Sequence, residues 1–326
     1  MKSPPITTIF SPYYVLLTGS LGVFLALALF TWNYPLPGDK VGQAFVAAQP
    51  FFIWVFLFGI LCCLLTILFI PLWGMLIQLT LKRFESSDNG QKRKIAISLF
   101  LQAILLTAIV FSLLQFISAM RTGFDLFAYA PQGHSARMNF MYIYTFLTTL
   151  PALLGMVLIQ GRAQELSQKI DSATNSETAL FPLINELLSL RSSLQNYLTI
   201  LGIILSMIPI NTAGLRAILI ALDIKNEQTF PITNAILFGL IFTLILLLIY
   251  IPAHLALIET SRKLRDHLCP LDSLSSLKQD IEQRKTLDDL LQTNVGITEN
   301  LKTGLITLAP LATSMISSIL KINLPF

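Results

Sequence analysis

Six apolar runs separated by short polar segments constrain this chain more than anything else in it: residues 12–32, 51–81, 95–119, 139–160, 196–215 and 232–259. Each is near or above the roughly 20 residues with which a helix crosses about 30 Å of hydrocarbon. Inside lipid a lone strand would leave its backbone N–H and C=O groups unpaired, so each run reads as a helix. Composition agrees, because 54% hydrophobic residues, 12% charged residues and a mean hydropathy of +0.70 exclude an ordinary soluble domain.

The expected fold class is an all-α polytopic membrane protein with six transmembrane helices and short amphipathic cytoplasmic helices; a seventh or re-entrant C-terminal helix is an open alternative. Residues 1–160 form a four-helix transmembrane region, and 161–195 a cytoplasmic linker with an amphipathic helix. Residues 196–260 hold helices five and six, and 261–326 a C-terminal cytoplasmic helical region.

With the N-terminus inside, twelve Lys and Arg residues flank the inner ends of the runs, among them Lys2, Lys82, Arg83, Lys92, Arg93, Lys94, Arg162, Arg191 and Arg265. Five flank the outer ends: Lys40, Arg121, Arg137, Arg216 and Lys225. That bias follows the positive-inside rule, and the expected setting is a cell membrane, a bacterial inner membrane, with both termini on its cytoplasmic side. At a net charge of only +4, the basic clusters read as topology signals rather than a nucleic-acid site.

No Asp, Glu, Lys or Arg stands in the middle of a run. Proton-coupled pumps and many secondary transporters carry such a group at mid-membrane, so this class is disfavoured. The neutral polar residues are more informative. At 100° per residue Ser98, Gln102, Leu105, Ile109, Ser112 and Gln115 fall within an arc of about 140° on the third run. Polar ends flanking an apolar middle fit a helix lining a water-filled path with a constriction at Leu105 and Ile109. They also fit, and more commonly mark, a helix whose Ser and Gln side chains bond its neighbours.

In the fifth run, Pro209, Asn211 and Gly214 weaken helix continuity: they read as a kink and gate candidate, either a break near the outer leaflet or, more commonly, a proline-kinked helix with no ligand, with Arg216 beyond it as a pore-mouth candidate. Pro252 and His254 form a second kink and gate candidate in the sixth, while His134 is expected in an outer loop. Small residues at Gly19 and Gly22, and at Thr148, Ala152 and Gly155, predict close helix packing.

Between the fourth and fifth runs, Leu180, Leu183, Ile184, Leu187, Leu190 and Leu194 form one apolar stripe, on a helix expected to lead straight into the fifth run. The helix after the sixth run is expected to stop before Pro270, and a further short one to carry Leu274, Leu287 and Leu291. The segment 296–320, apolar but studded with Thr307, Thr313 and Ser314 around Pro310, is expected to pack on the 180–194 stripe.

Phosphate-loop, dinucleotide, zinc-protease and nucleophile-elbow motifs are absent, so no enzymatic activity, metal or cofactor is expected. The expected partners are the lipid bilayer, further copies of the chain, and a cytoplasmic protein or small-molecule regulator. In outline only, the plan resembles membrane effectors of bacterial stress or defence systems. The leading expectation is a homo-oligomeric ion channel or pore-forming effector gated through its cytoplasmic helices. The alternatives are a carrier for a neutral or lipid-like solute, with its site at Pro209 and Asn211, and a non-conducting scaffold or sensor for a partner protein.

Overall fold

The computed structural model describes residues 11–32, 38–85, 89–120, 132–172, 177–222, 233–269, 277–291 and 297–319. Lys2, Arg121, Lys225, Pro270 and Leu274 lie outside these residues, as do the side chains of Ser112 and Gln115. Among the described residues every regular element is a helix: α1 (Pro12–Phe30), α2 (Lys40–Ala47), α3 (Pro50–Glu85), α4 (Asn89–Met120), α5 (His134–Ser172), α6 (Glu177–Ala221), α7 (Thr233–Leu268), α8 (Leu277–Leu290) and α9 (Ile297–Ile319).

Five of them, α1, α3, α5, α6 and α7, are long and apolar enough to cross a membrane, which makes this a multi-pass membrane protein in composition and architecture. The run 95–119 lies within one unbroken helix, α4, but its described side chains stop at Ile109, and α4 is not among the five.

Helices α3, α5, α6 and α7 pack around one main apolar core. Helix α1 lies along α3 so closely that a Cβ on Gly22 would come within 2.6 Å of the Cys63 Cα, the backbone approach that the small residues of α1 predict. Its start is set by Ser11, whose hydroxyl accepts from the Tyr14 N–H, with Pro12 in the first turn. Pro71 has no N–H, so the Ile67 carbonyl one turn earlier loses its helical donor. The Tyr14 hydroxyl donates to that carbonyl at 2.9 Å, and α1 thereby satisfies the acceptor that Pro71 leaves open.

The bundle has two chemically distinct ends. At one, Phe30, Phe45, Phe51, Trp54 and Phe58 gather from α1, α2 and α3, with ring centroids 4.7–6.4 Å apart for the pairs in contact. His134 joins them, 5.8 Å from both Phe45 and Trp54 and only 1% exposed. It is therefore not in a loop but opens α5 from inside an aromatic shell; Gly133, at φ 79°, makes the preceding turn. Asp39 caps α2 through the Gly42 N–H and also accepts from the Gln132 N–H; these bonds, Gly42 first, hold its carboxyl below the usual range.

At the other end α5, α6 and α7 carry the same apolar core onward through Leu166, Leu187 and Leu264 and are also tied by charge. Arg83 meets Glu165 at 2.5 Å, Arg162 meets Glu165 at 3.0 Å and Glu186 at 2.6 Å, and Lys263 meets Asp171 at 3.1 Å. The stripe residues Leu180, Leu187, Leu190 and Leu194 are buried here, and α6 carries them into the fifth run without interruption. Helix α7 ends at Leu268, just short of Pro270. Helix α8 is held by Arg265 to Asp288 at 2.9 Å and by the buried Arg191, which donates to the Leu291 carbonyl at 2.7 Å.

Helix α9 departs from expectation. Its located contacts fall inside the apolar parts of α6 and α7 rather than on the 180–194 stripe. A Cβ on Gly202 of α6 would meet the Ile306 side chain at 2.8 Å and its carbonyl oxygen at 3.0 Å; one on Gly239 of α7 would meet the Pro310 carbonyl oxygen at 2.6 Å. One turn beyond these glycines stand Ser206 and Thr243, so each helix offers α9 a small-xxx-small face. The hydroxyl face of α9 is turned inward, with Thr307 3% and Ser314 0% exposed.

Candidate functional site

The polar residues singled out by sequence occupy two separate places. The first is α4. Leu99, Ala103 and Leu106 turn it toward Leu76 of α3 and Leu154 and Leu158 of α5, a small cluster apart from the main core. Each is one residue on from Ser98, Gln102 and Leu105, so the candidate stripe is rotated by about 100° from the packed face. That stripe looks away from the bundle. Leu105 is 60% and Ile109 48% exposed, and the Gln102 amide donates to Ser98 Oγ at 3.3 Å. Lys94, Ile97, Ser98, Leu101, Gln102 and Leu105 line an open groove of about 370 Å³ along it.

The second place is the aromatic end of α6. Of the two readings of Pro209, Asn211 and Gly214, the break does not occur: α6 is one helix of 45 residues with Pro209 inside it. Pro209 removes only the donor to the Leu205 carbonyl. Around it, side chains bond back onto the helix: Asn211 Nδ2 donates to the Met207 carbonyl at 2.8 Å and Thr212 Oγ1 to the Ile208 carbonyl at 3.0 Å, so both find partners without leaving the helix. Helix α3 then clamps the same segment. Trp54 Nε1 donates to the Asn211 carbonyl at 3.1 Å, and its ring lies where a Cβ on Gly214 would meet it at 2.9 Å. Asn211 is buried, and its Oδ1 has no hydrogen-bond partner. Arg216 follows, half-buried.

Pro252 likewise fails to interrupt α7. His254 stacks on Tyr250 one turn earlier, with ring centroids 5.1 Å apart and the tyrosine hydroxyl 3.2 Å from Nδ1.

The α4 set and the α6–α7 set are not brought together within one chain, since α4 packs lightly and chiefly on α5. Sequence reasoning missed the aromatic shell around His134 and the two glycines that seat α9. Among the described residues no group of His, Cys, Asp or Glu is arranged to hold a metal ion. Comparison with protein-family models, with curated proteins and with solved structures found no match for this chain.

Proposed function

We propose that the chain forms a homo-oligomeric ion-conducting pore of a cell membrane, lined by α4 and gated through the helices of the charged end. One observation carries this reading: α4 presents its bonded Ser98–Gln102 pair and the Leu105–Ile109 step away from its own bundle. In lipid, polar side chains on that face have no good partner, whereas copies of α4 around a shared axis give them water. The cation-rich charged end then faces the cytoplasm. The latch of α8 by Arg191 and Arg265 gives a regulator something to release.

Ion flux through proteoliposomes tests the path. Leu105→Ser and Ile109→Ser, each wetting the constriction, are expected to raise flux severalfold over the parent protein; unchanged flux in both removes α4 as the lining. A carrier is the second reading, favoured by the unpartnered Oδ1 of the buried Asn211. It requires saturable uptake of a neutral solute that Asn211→Ala reduces.

In this reading α4 supplies the sixth crossing, and α9 a seventh beside α6 and α7. Helix α9 measures about 34 Å at 1.5 Å per residue, but its uncharged part, residues 304–319, is only about 24 Å, so it crosses with the positions of Glu299 and Lys302 held at the interface. A reporter fused after Phe326 is then expected on the opposite side of the membrane from one inserted at Thr174, between α5 and α6. Reporters on the same side make α9 re-entrant and keep the crossings at six.

A further inference from the structure

The charged end holds two kinds of cation. Arg83, Arg162, Arg265 and Arg284 are each held by a carboxylate of a neighbouring helix. Lys82, at the end of α3, and Lys92, Arg93 and Lys94, in the first turns of α4, make no ion pair with any described residue. Lys94 also heads the α4 groove. Below it Ile97, Leu101 and Leu105 are 48%, 59% and 60% exposed, with the Ser98–Gln102 pair along one edge. From Lys94 to Leu105 the helix rises about 16 Å, close to half the thickness of the hydrocarbon.

We propose that this groove binds one anionic phospholipid from the leaflet at the charged end. Lys94 meets the phosphate, Lys82, Lys92 and Arg93 add to the positive field at the same depth, and an acyl chain lies on Ile97, Leu101 and Leu105. A free phosphate would use the cations but not the apolar strip. A second α4 would use the strip but gains nothing from unpaired like charges at its head. A cation cluster followed by one leaflet's depth of apolar groove matches a lipid in both charge and length. The site shares Ser98, Gln102 and Leu105 with the face that the pore reading gives to water, so an α4 that holds lipid does not line a wet path at Leu105; occupancy is measured without flux, and the two readings therefore fail separately. The groove ends at Leu105, so a bound lipid leaves Ile109 uncovered.

The probe is brominated phosphatidylglycerol against brominated phosphatidylcholine, in vesicles containing the full chain with Ile97→Trp as a reporter at the groove's edge. The parent protein sets the background from its own tryptophans. Quenching is expected to favour the anionic lipid, and the preference to fall about fivefold when Lys94→Gln removes one charge. Lys94→Arg should restore it, and Arg262→Gln, an exposed cation of α7, should leave it unchanged. Equal quenching by the two lipids, quenching by neither because a second copy covers the strip, or an equal loss in Arg262→Gln each overturns the site.

Discussion

Gly239→Ala is expected to destabilise the folded bundle by about 1–3 kcal/mol, the range for forcing extra volume into a packed interior. The sign is not obvious beforehand, because alanine is the better helix former by about 1 kcal/mol. What decides it is the obstacle. The new Cβ would come within 2.6 Å of the Pro310 carbonyl oxygen and closer still to Ser314 Oγ; a backbone carbonyl cannot swing aside as a side chain can. Helix α9 must therefore shift as a body, taking the buried Thr307 and Ser314 out of register with α7. Gly202→Ala is expected to cost less, since its obstacles, the Ile306 Cγ2 at 2.8 Å and the Ile306 carbonyl oxygen at 3.0 Å, stand several tenths of an ångström further off than those at Gly239. Gly74→Ala, with nothing within 4 Å, should be neutral or gain stability. Detergent-induced unfolding of the three variants gives the ranking. If Gly239→Ala is as stable as Gly74→Ala, α9 is not seated between α6 and α7.

That seat was beyond the reach of sequence reasoning for a definite reason. Gly202, Gly239 and Ser314 are spread over more than a hundred residues, and each looks ordinary in its own segment. Close approaches at Gly22 and Gly155 were legible because those glycines sit among other small residues in long apolar runs. Run length likewise made the long helices legible, since the bilayer's thickness is a physical ruler. Pro209 is instructive in the opposite direction. Proline, asparagine and glycine in one turn admit a break as one reading, but Asn211 and Thr212 bond back to the helix and Trp54, far away in sequence, closes over it. For α4 the periodicity identified the stripe and not its direction. Whether Ser98 and Gln102 face neighbours or the outside depends on Leu99, Ala103 and Leu106 winning the contact with α3 and α5, a competition between two faces of one helix.

Arg162→Leu is expected to cost about 2–3 kcal/mol, somewhat below the roughly 3–5 kcal/mol for breaking a fully buried ion pair. The discount follows from exposure. Arg162 is buried, with 9% of its side chain exposed, but Glu165 and Glu186 each keep 32% and are partly hydrated once it is gone. Arg83 also remains on Glu165, so Glu186 is the partner stranded. Replacing Glu186 by leucine in the same chain removes that stranded charge and is expected to recover most of the loss, because an apolar pair in a buried setting is often as stable as an ionic one. A double-mutant cycle across Arg162 and Glu186 should therefore return a coupling above about 1 kcal/mol, and a value near zero would mean the two side chains do not interact. The same cycle bears on gating. Arg162 and its carboxylates join α3, α5 and α6 at the charged end, while the Arg265–Asp288 contact holds α8. If those helices transmit a signal, Arg162→Leu should alter flux and the leucine pair should restore it, because the pair restores the packing of α5 on α6 without restoring the charge.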